Sequence, residues 1–381
     1  MARIIVSGTM VRYPVGGIHQ WMLTWLLGFQ RLGHDVYFVE KSGWKNSCYD
    51  VGRRIMTDDC TYGIGVVSGI LKRFGLNDQW CFVDASNQYH GRLSPQKVEE
   101  VFKTCDLFVD MEGDEWLNEA THSALRVFVD CEPGWFQMKM EMAINEEKQV
   151  PDHDYYYTTG RNVGTQRSTT PSAGKNWRTI CSPVNVDLFP YQTPRADAPF
   201  TTVMNWQSNK EIEFNGIKYG QKDMEFPKFL DLPQQIESQL EVAVSGPRVP
   251  KKILTDSGWR VRNADDISNS IDSYKDYILA SKGEFSVMKN VFVATNCGTI
   301  SDRSGYYMAS GRPAVVQDTG FSEHLPCGRG LFAVRTMEEA AAAIKEINAD
   351  YEHHSHWARD IALEYMDASK VLKQFLIELG I

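Results

Sequence analysis

Near the start of the chain, Ile4, Ile5 and Val6 form a short apolar run that stops at Gly8, and a loop with Pro14, Gly16 and Gly17 follows. Ile18, Trp21, Met22, Trp25, Leu26, Phe29 and Leu32 then recur at three- and four-residue intervals, which predicts a helix with one wide apolar face. Gly33 ends that helix, and residues 35–40 predict the next strand. Strand, glycine loop, helix and strand make a βαβ unit, which implies a parallel sheet.

The alternation continues with predicted strands at 80–83, 106–110, 125–130 and 154–158 and a helix at 95–103. Residues 182–199 then carry four prolines and read as an interdomain linker. A second series follows, with strands at 200–206, 240–245, 260–262, 285–287, 314–317 and 331–334 and helices at 223–229, 271–280 and 337–348. A final stripe of Trp357, Ile361, Tyr365, Ala368, Leu372, Phe375 and Leu379 predicts a closing helix. The pattern predicts an α/β protein of two facing Rossmann-like halves: 1–185, a linker over 186–199, 200–356, and a helix over 357–381 that crosses back to the first half. At 381 residues the chain exceeds what one core usually organises, in keeping with two domains.

Composition narrows the partners. Net charge is −9 and no block of like charges appears, which argues against a nucleic-acid polyanion as the main partner without excluding it. The first residues lack the apolar core of a signal peptide, and no apolar run is long enough for a membrane span. Eight scattered cysteines with no C-x-x-C pair read as free thiols of a cytoplasmic protein rather than a disulfide framework or zinc site.

The segment 298–321 (GTISDRSGYYMASGRPAVVQDTGF) carries the chemistry. Ser301, Asp302, Arg303, Ser304 and Gly305 form a small, polar turn opening a helix at 306–310, and Gly311 stops it. The N–H groups and positive dipole end of a helix start suit a diphosphate. Gly305 would permit close approach and Arg303 would add a charge-assisted contact. Asp318, Thr319 and Gly320 make a tight turn after the following strand, a second place for the phosphates.

The run M-A-S-G-R-P-A-V-V-x-D-T-G-F resembles the donor motif of GT-B glycosyltransferases, and the N-terminal G-T-M-x-R-Y-P-V-G-G loop resembles that fold's acceptor-side loop, which includes Gly16 and Gly17. W-x-S…Y-G-Q-K-D-x-E-F and G-E-F-S-V-x-K-N resemble a group of bacterial glycosyltransferase-like proteins of undefined substrate. The resemblance implies transfer of a hexose-type sugar from a nucleoside-diphosphate donor, a UDP-sugar first among them, to a hydroxyl acceptor, with no metal required. It also implies a basic pair on the leaving diphosphate, for which Lys222 and Lys289 are the candidates. In inverting members a histidine near the first helix is the base, a role that falls to His19 here. Many retaining members carry two glutamates eight residues apart, but Gly298 and Tyr306 occupy those positions, with Asp302 as a substitute hydroxyl contact.

Other residues stay in view. Asp110, Glu112, Asp130 and Glu132 end or follow strands and are candidates for the acceptor cleft or the base, although such carboxylates also cap helices. Trp135, Phe136 and Tyr155–Tyr157 could stack on a sugar or pack in the core. Gly8, Gly16 and Gly17 do not form G-x-G-x-x-G, which counts against a Rossmann oxidoreductase. A sugar-nucleotide epimerase, a non-catalytic sugar-nucleotide-binding protein and a phage-type DNA glycosyltransferase remain the alternatives.

Overall fold

The computed structural model describes residues 1–111, 113 and 116–381. Its first half is an eight-stranded sheet. The spatial order is Trp177–Thr179, Tyr155–Thr158, Leu125–Asp130, Leu107–Asp110, Arg3–Ser7, Asp35–Lys41, Trp80–Val83 and Tyr89–Gly91. The strands are parallel except for the last, which returns antiparallel on the edge. Ile4 pairs with Val36 on one side and Leu107 on the other, so the first apolar run lies at the sheet's centre, where both faces are covered. The helix Gly16–Arg31 buries the predicted stripe through Met22, Trp25, Leu26 and Phe29.

The second half is a six-stranded parallel sheet in the order Arg260–Asn263, Leu240–Ser245, Phe200–Asn205, Gly283–Ser286, Ala314–Gln317 and Leu331–Val334. Its core gathers Phe285, Val315 and Ile344 with Trp259 and Phe229. The segment between the sheets is packed: Phe189 is buried and stacks on Tyr306 at 4.7 Å and 12°.

The closing helix differs from the expectation of one element over 357–381. The polar stretch before it is already helical, Tyr351–Ile361, with Asp350 capping His353 N. A π turn, Ala362–Met366, comes next, then a break at Asp367 and a second helix, Ala368–Leu379. The reason lies in the backbone: Val184 N donates to Met366 O at 2.7 Å and Ala368 N donates to Val184 O at 2.9 Å, which draws both residues out of the helical ladder. Asp367 restarts the helix by accepting from Ser369 N. Tyr365, on the expected stripe, is exposed, whereas Leu372, Phe375 and Leu376 pack into the first half's core. Phe375 meets Trp25 edge-on at 6.0 Å, and Gly28 leaves room for Leu372, whose Cδ1 would lie 2.4 Å from any Cβ there.

The carboxyl ends of the two sheets face each other. The loop after Leu125–Asp130 reaches the loop after Gly283–Ser286, where Glu132 accepts from Lys289 Nζ through both oxygens, one of them at 2.6 Å. Facing strand ends are where open α/β sheets collect ligands.

Candidate active site

The turn carrying Lys222 is fixed by the loop that carries Lys289. Asn290 N and Val291 N donate to Gln221 O and Gly220 O, while Asn290 Oδ1 accepts from Gly220 N at 3.0 Å. Beneath them the buried Glu225 accepts from Asn290 Nδ2 at 2.8 Å and Gln317 Nε2 at 2.5 Å, and ion-pairs with Lys228. This scaffold holds Lys222 at the first position of the short helix Lys222–Glu225, a buried residue whose ammonium makes no hydrogen bond or salt bridge to any described residue. Burial, and after it the nearby charge of Arg303, hold its pKa well below the usual lysine range. A largely buried ammonium without a salt bridge of its own is costly, and an incoming anion would relieve that cost.

Arg303 stands close by with a different arrangement from the one expected. Its guanidinium donates to Glu284 Oε1 at 2.8 Å, Val203 O at 3.0 Å and Ser286 Oγ at 2.5 Å. Glu284 is fully buried and its Oε2 has no partner. The arginine is therefore a neutralised, oriented group rather than a loose phosphate arm. Lys289 is likewise neutralised, by Glu132 across the seam. Of the three cations, Lys222 is the one that makes no salt bridge to a described residue; Glu284 and Glu132 act on it only at longer range, each already paired with another cation.

The helix start at 301–305 is built as a cap. Asp302–Ala309 is the helix, longer at its start than predicted, because Ser301 Oγ accepts from Arg303 N at 3.2 Å. Asp302 accepts from Ser301 Oγ and from Tyr306 OH at 3.0 Å, and burial raises its pKa. Tyr306, at the position of a retaining enzyme's second glutamate, thus orients a carboxylate one turn earlier. At the first glutamate's position, Gly298 has φ of +82° and its Cβ would meet Asn162 N at 2.8 Å. No side chain fits there. Ser304 is buried with its hydroxyl unpartnered.

Gly305 corrects an expectation. A Cβ there would lie 2.4 Å from Val184 Cγ2 and 2.8 Å from Met366 Cε, so the glycine admits the crossing segment rather than a phosphate. Thr319 and Gly320 are also engaged within the protein. Thr319 O accepts from Gly298 N, Thr319 Oγ1 donates to Thr299 O, and Gly320 N donates to Asp318 Oδ1. Gly320, with φ of +95°, packs against Asn162 and Asn296.

Gly16 and Gly17 do not line an open acceptor surface. Gly16 N donates to Ser268 O at 2.6 Å, Gly17 N donates to Ser268 Oγ, and a Cβ on Gly16 would lie 2.2 Å from Ser270 O. These glycines let the first half's loop press against the second half.

Of the residues considered as base, His19, Asp110 and Asp130 are buried. His19 has no accessible surface, Nε2 donates to Met10 O at 3.0 Å, Nδ1 lacks a partner, and burial lowers its pKa to about 4. Asp110 accepts from His153 Nε2 at 2.9 Å and from Gly113 N. Asp130 accepts from Gln137, Thr158 and Glu132 N, and burial raises its pKa to about 6. Each is an internal anchor in this conformation, because strand-end polar groups serve loop backbones as readily as ligands. Glu132 is the strand-end carboxylate that reaches the seam, and Glu112 lies outside the described residues. Glu40 gathers Met10 N, Val11 N and Arg12 N and so shapes the loop after the first strand.

His19 gives a pH prediction. Its folded pKa lies below the unfolded value, so its contribution is complete above pH 6.5 and is lost as pH falls through about 4. Replacing it by Gln should remove up to about 3 kcal/mol of this acid sensitivity, read from denaturant midpoints at pH 7 and pH 4. Equal acid slopes in the two proteins would refute the assignment.

Sequence reasoning missed Glu284 and Glu225. Glu284 left a signal, since a charge beside an apolar strand run implies a buried partner. Glu225, in a helix of mixed polarity, left none.

No protein-family model matches the sequence, and no curated protein matches it. Solved structures do match over the whole chain. An alpha-glucosyltransferase in complex with UDP and a 13-mer DNA containing a HMU base shares 11% identity, with 100% of each chain covered and a TM-score of 0.58. AviGT4, a glycosyltransferase involved in avilamycin A biosynthesis, shares 12% over 99% of this chain and 97% of its own, at 0.55. The S. aureus TarM structure with UDP shares 9% over 99% of each chain, at 0.54. These likenesses establish the two-sheet GT-B fold that the motifs implied.

Proposed function

We propose, from this GT-B architecture, that the protein transfers a sugar from a nucleoside-diphosphate donor to a hydroxyl acceptor, with the donor's diphosphate held against Lys222. The observation that carries this reading is Lys222 at the facing strand ends, a largely buried residue whose ammonium makes no salt bridge to a described residue and stands near Arg303 and Lys289. A departing nucleoside diphosphate accumulates negative charge, and cations fixed beforehand stabilise it without reorganisation. Arg303, held by Glu284, supplies a second fixed charge, and Lys289 becomes a third when diphosphate displaces Glu132. Asp302, oriented by Tyr306, is the group we assign to a donor hydroxyl.

UDP is the nucleotide of choice, because several fold neighbours were solved with it. Four alpha-glucosyltransferase structures among the neighbours contain DNA, but the net charge of −9 favours a neutral or weakly charged acceptor here. Among the described residues no helix is long and apolar enough to cross a membrane, and all eight cysteines are free, which supports a cytoplasmic setting.

Thermal shift with UDP-, GDP- and dTDP-sugars tests the donor. A ligand at a hundred times its Kd should add about 2.7 kcal/mol, with UDP-sugars strongest. No shift with any of the three would overturn the donor assignment.

A further inference from the structure

A second site lies on the outer rim of the first sheet, where three segments bring together sulfur, oxygen and nitrogen donors. Cys60 immediately precedes the helix Thr61–Arg73, Asp84 follows the strand Trp80–Val83, and His90 lies in the edge strand Tyr89–Gly91. A thiol, a carboxylate oxygen and an imidazole nitrogen from these residues all lie within 4.8 Å of one another. We propose that Cys60, Asp84 and His90 bind a zinc-class divalent cation that ties these three segments together.

The geometry is close to what such an ion needs. Tetrahedral zinc sets its ligand atoms about 3.3–3.8 Å apart, given bonds of about 2.0–2.3 Å. Asp84 is already oriented: Oδ1 accepts from Ser86 N at 2.8 Å and Gln88 N at 2.9 Å, which aims Oδ2 at His90 Nε2, 2.8 Å away. The His90 ring is backed by buried Phe82 at 6.2 Å, which limits its rotation. Ligands fixed by their own hydrogen bonds are a general feature of metal sites. A plain Asp–His hydrogen bond closing a turn would not require the thiol, yet Cys60 is buried against this pair, and its sulfur makes no hydrogen bond to another described residue. A second buried thiol, Cys48 of the hairpin strand Cys48–Asp50, stands in the same neighbourhood.

Binding balances simply. Cys60 gives up its proton as the S–metal bond forms, and His90 moves its proton from Nε2 to Nδ1 so that Nε2 coordinates. Asp84 Oδ2 turns from the imidazole to the ion, and water completes the tetrahedron. One proton leaves per cation bound. The site is separate from the donor cations, so the two readings stand or fall independently.

The test uses the full chain carrying Cys327→Ser, which removes the one exposed thiol. Metal-free protein titrated with Co2+ should develop sulfur-to-cobalt and tetrahedral visible bands that saturate at one ion per chain and are displaced by Zn2+. Cys60→Ser and His90→Ala should each abolish them, and Asp84→Asn should abolish the Zn2+-dependent rise in Tm. If Cys60→Ser does not fold, the partly exposed His90 and Asp84 carry the test. Absence of a thiolate band, or a band that survives in Cys60→Ser or His90→Ala, would overturn the site.

Discussion

Lys222→Met should lower affinity for the nucleoside diphosphate by roughly 10- to 150-fold while Tm stays the same or rises. The loss follows from removing one charge-assisted contact, about 1.5–3 kcal/mol, with tenfold per 1.4 kcal/mol. The gain in stability has a separate origin: Lys222 is largely buried without a salt bridge to a described residue, and methionine fills similar space without the desolvation cost. The pH dependence supplies a further check. The folded pKa of Lys222 is below the ordinary 10.5, so wild-type stability should rise as alkaline pH passes through the folded value towards 10.5, and the variant should lack that rise. Diphosphate favours the charged form, so binding in this alkaline window should take up a proton. Calorimetry in buffers of different ionisation enthalpy reads that uptake, and Lys222→Met should eliminate it. A variant with a lower Tm and unchanged affinity would make Lys222 a structural cation.

Glu284→Ala should destabilise the protein by about 3–5 kcal/mol, because it leaves the guanidinium of Arg303 buried without its counter-ion. The remaining contacts of Arg303, to Val203 O and Ser286 Oγ, are to neutral groups and do not replace the charge. The double variant Glu284→Ala with Arg303→Met should recover part of the loss, since removing both charges leaves no orphan. Denaturant midpoints on the two single variants and the double complete the cycle. Additive losses would mean that the pair is not coupled and that Arg303 is held by its other contacts.

The fold was legible where apolar periodicity was strong. The strands at 80–83, 125–130, 240–245, 314–317 and 331–334 and the helix at 95–103 lie where the pattern put them. The short hairpins Cys48–Asp50 with Ile55–Thr57 and Ile212–Phe214 with Ile217–Tyr219 left no such pattern, since three-residue strands do not establish a period. The helix Thr61–Arg73 was hidden by three glycines that lower helix propensity, and Gly63 is there because a Cβ would strike Val11 O at 2.1 Å. The closing helix was misread because its break depends on Val184, far away in sequence.

The site was legible in type more than in position. Lys222 and Lys289 do come to the facing strand ends, through loops that the sequence placed only by resemblance. The glycines misled for a physical reason: Gly16, Gly305 and Gly320 signal close approach, and nothing in a sequence says whether the approaching group is a ligand or the protein's own backbone. Buried strand-end carboxylates misled in the same way.

The helix Ala368–Leu379 supplies Leu372, Phe375 and Leu376 to a core made mostly by strands and helices of the first half, the helix Gly16–Arg31 among them. During synthesis those early elements emerge long before the residues that cover them. The Trp25 and Phe29 face therefore stays open while the whole second half is being made, exposed to water, to chaperones and to neighbouring chains. Assembly runs against the order of translation: the second half can close its own sheet first, and the first half is sealed by a helix made after it.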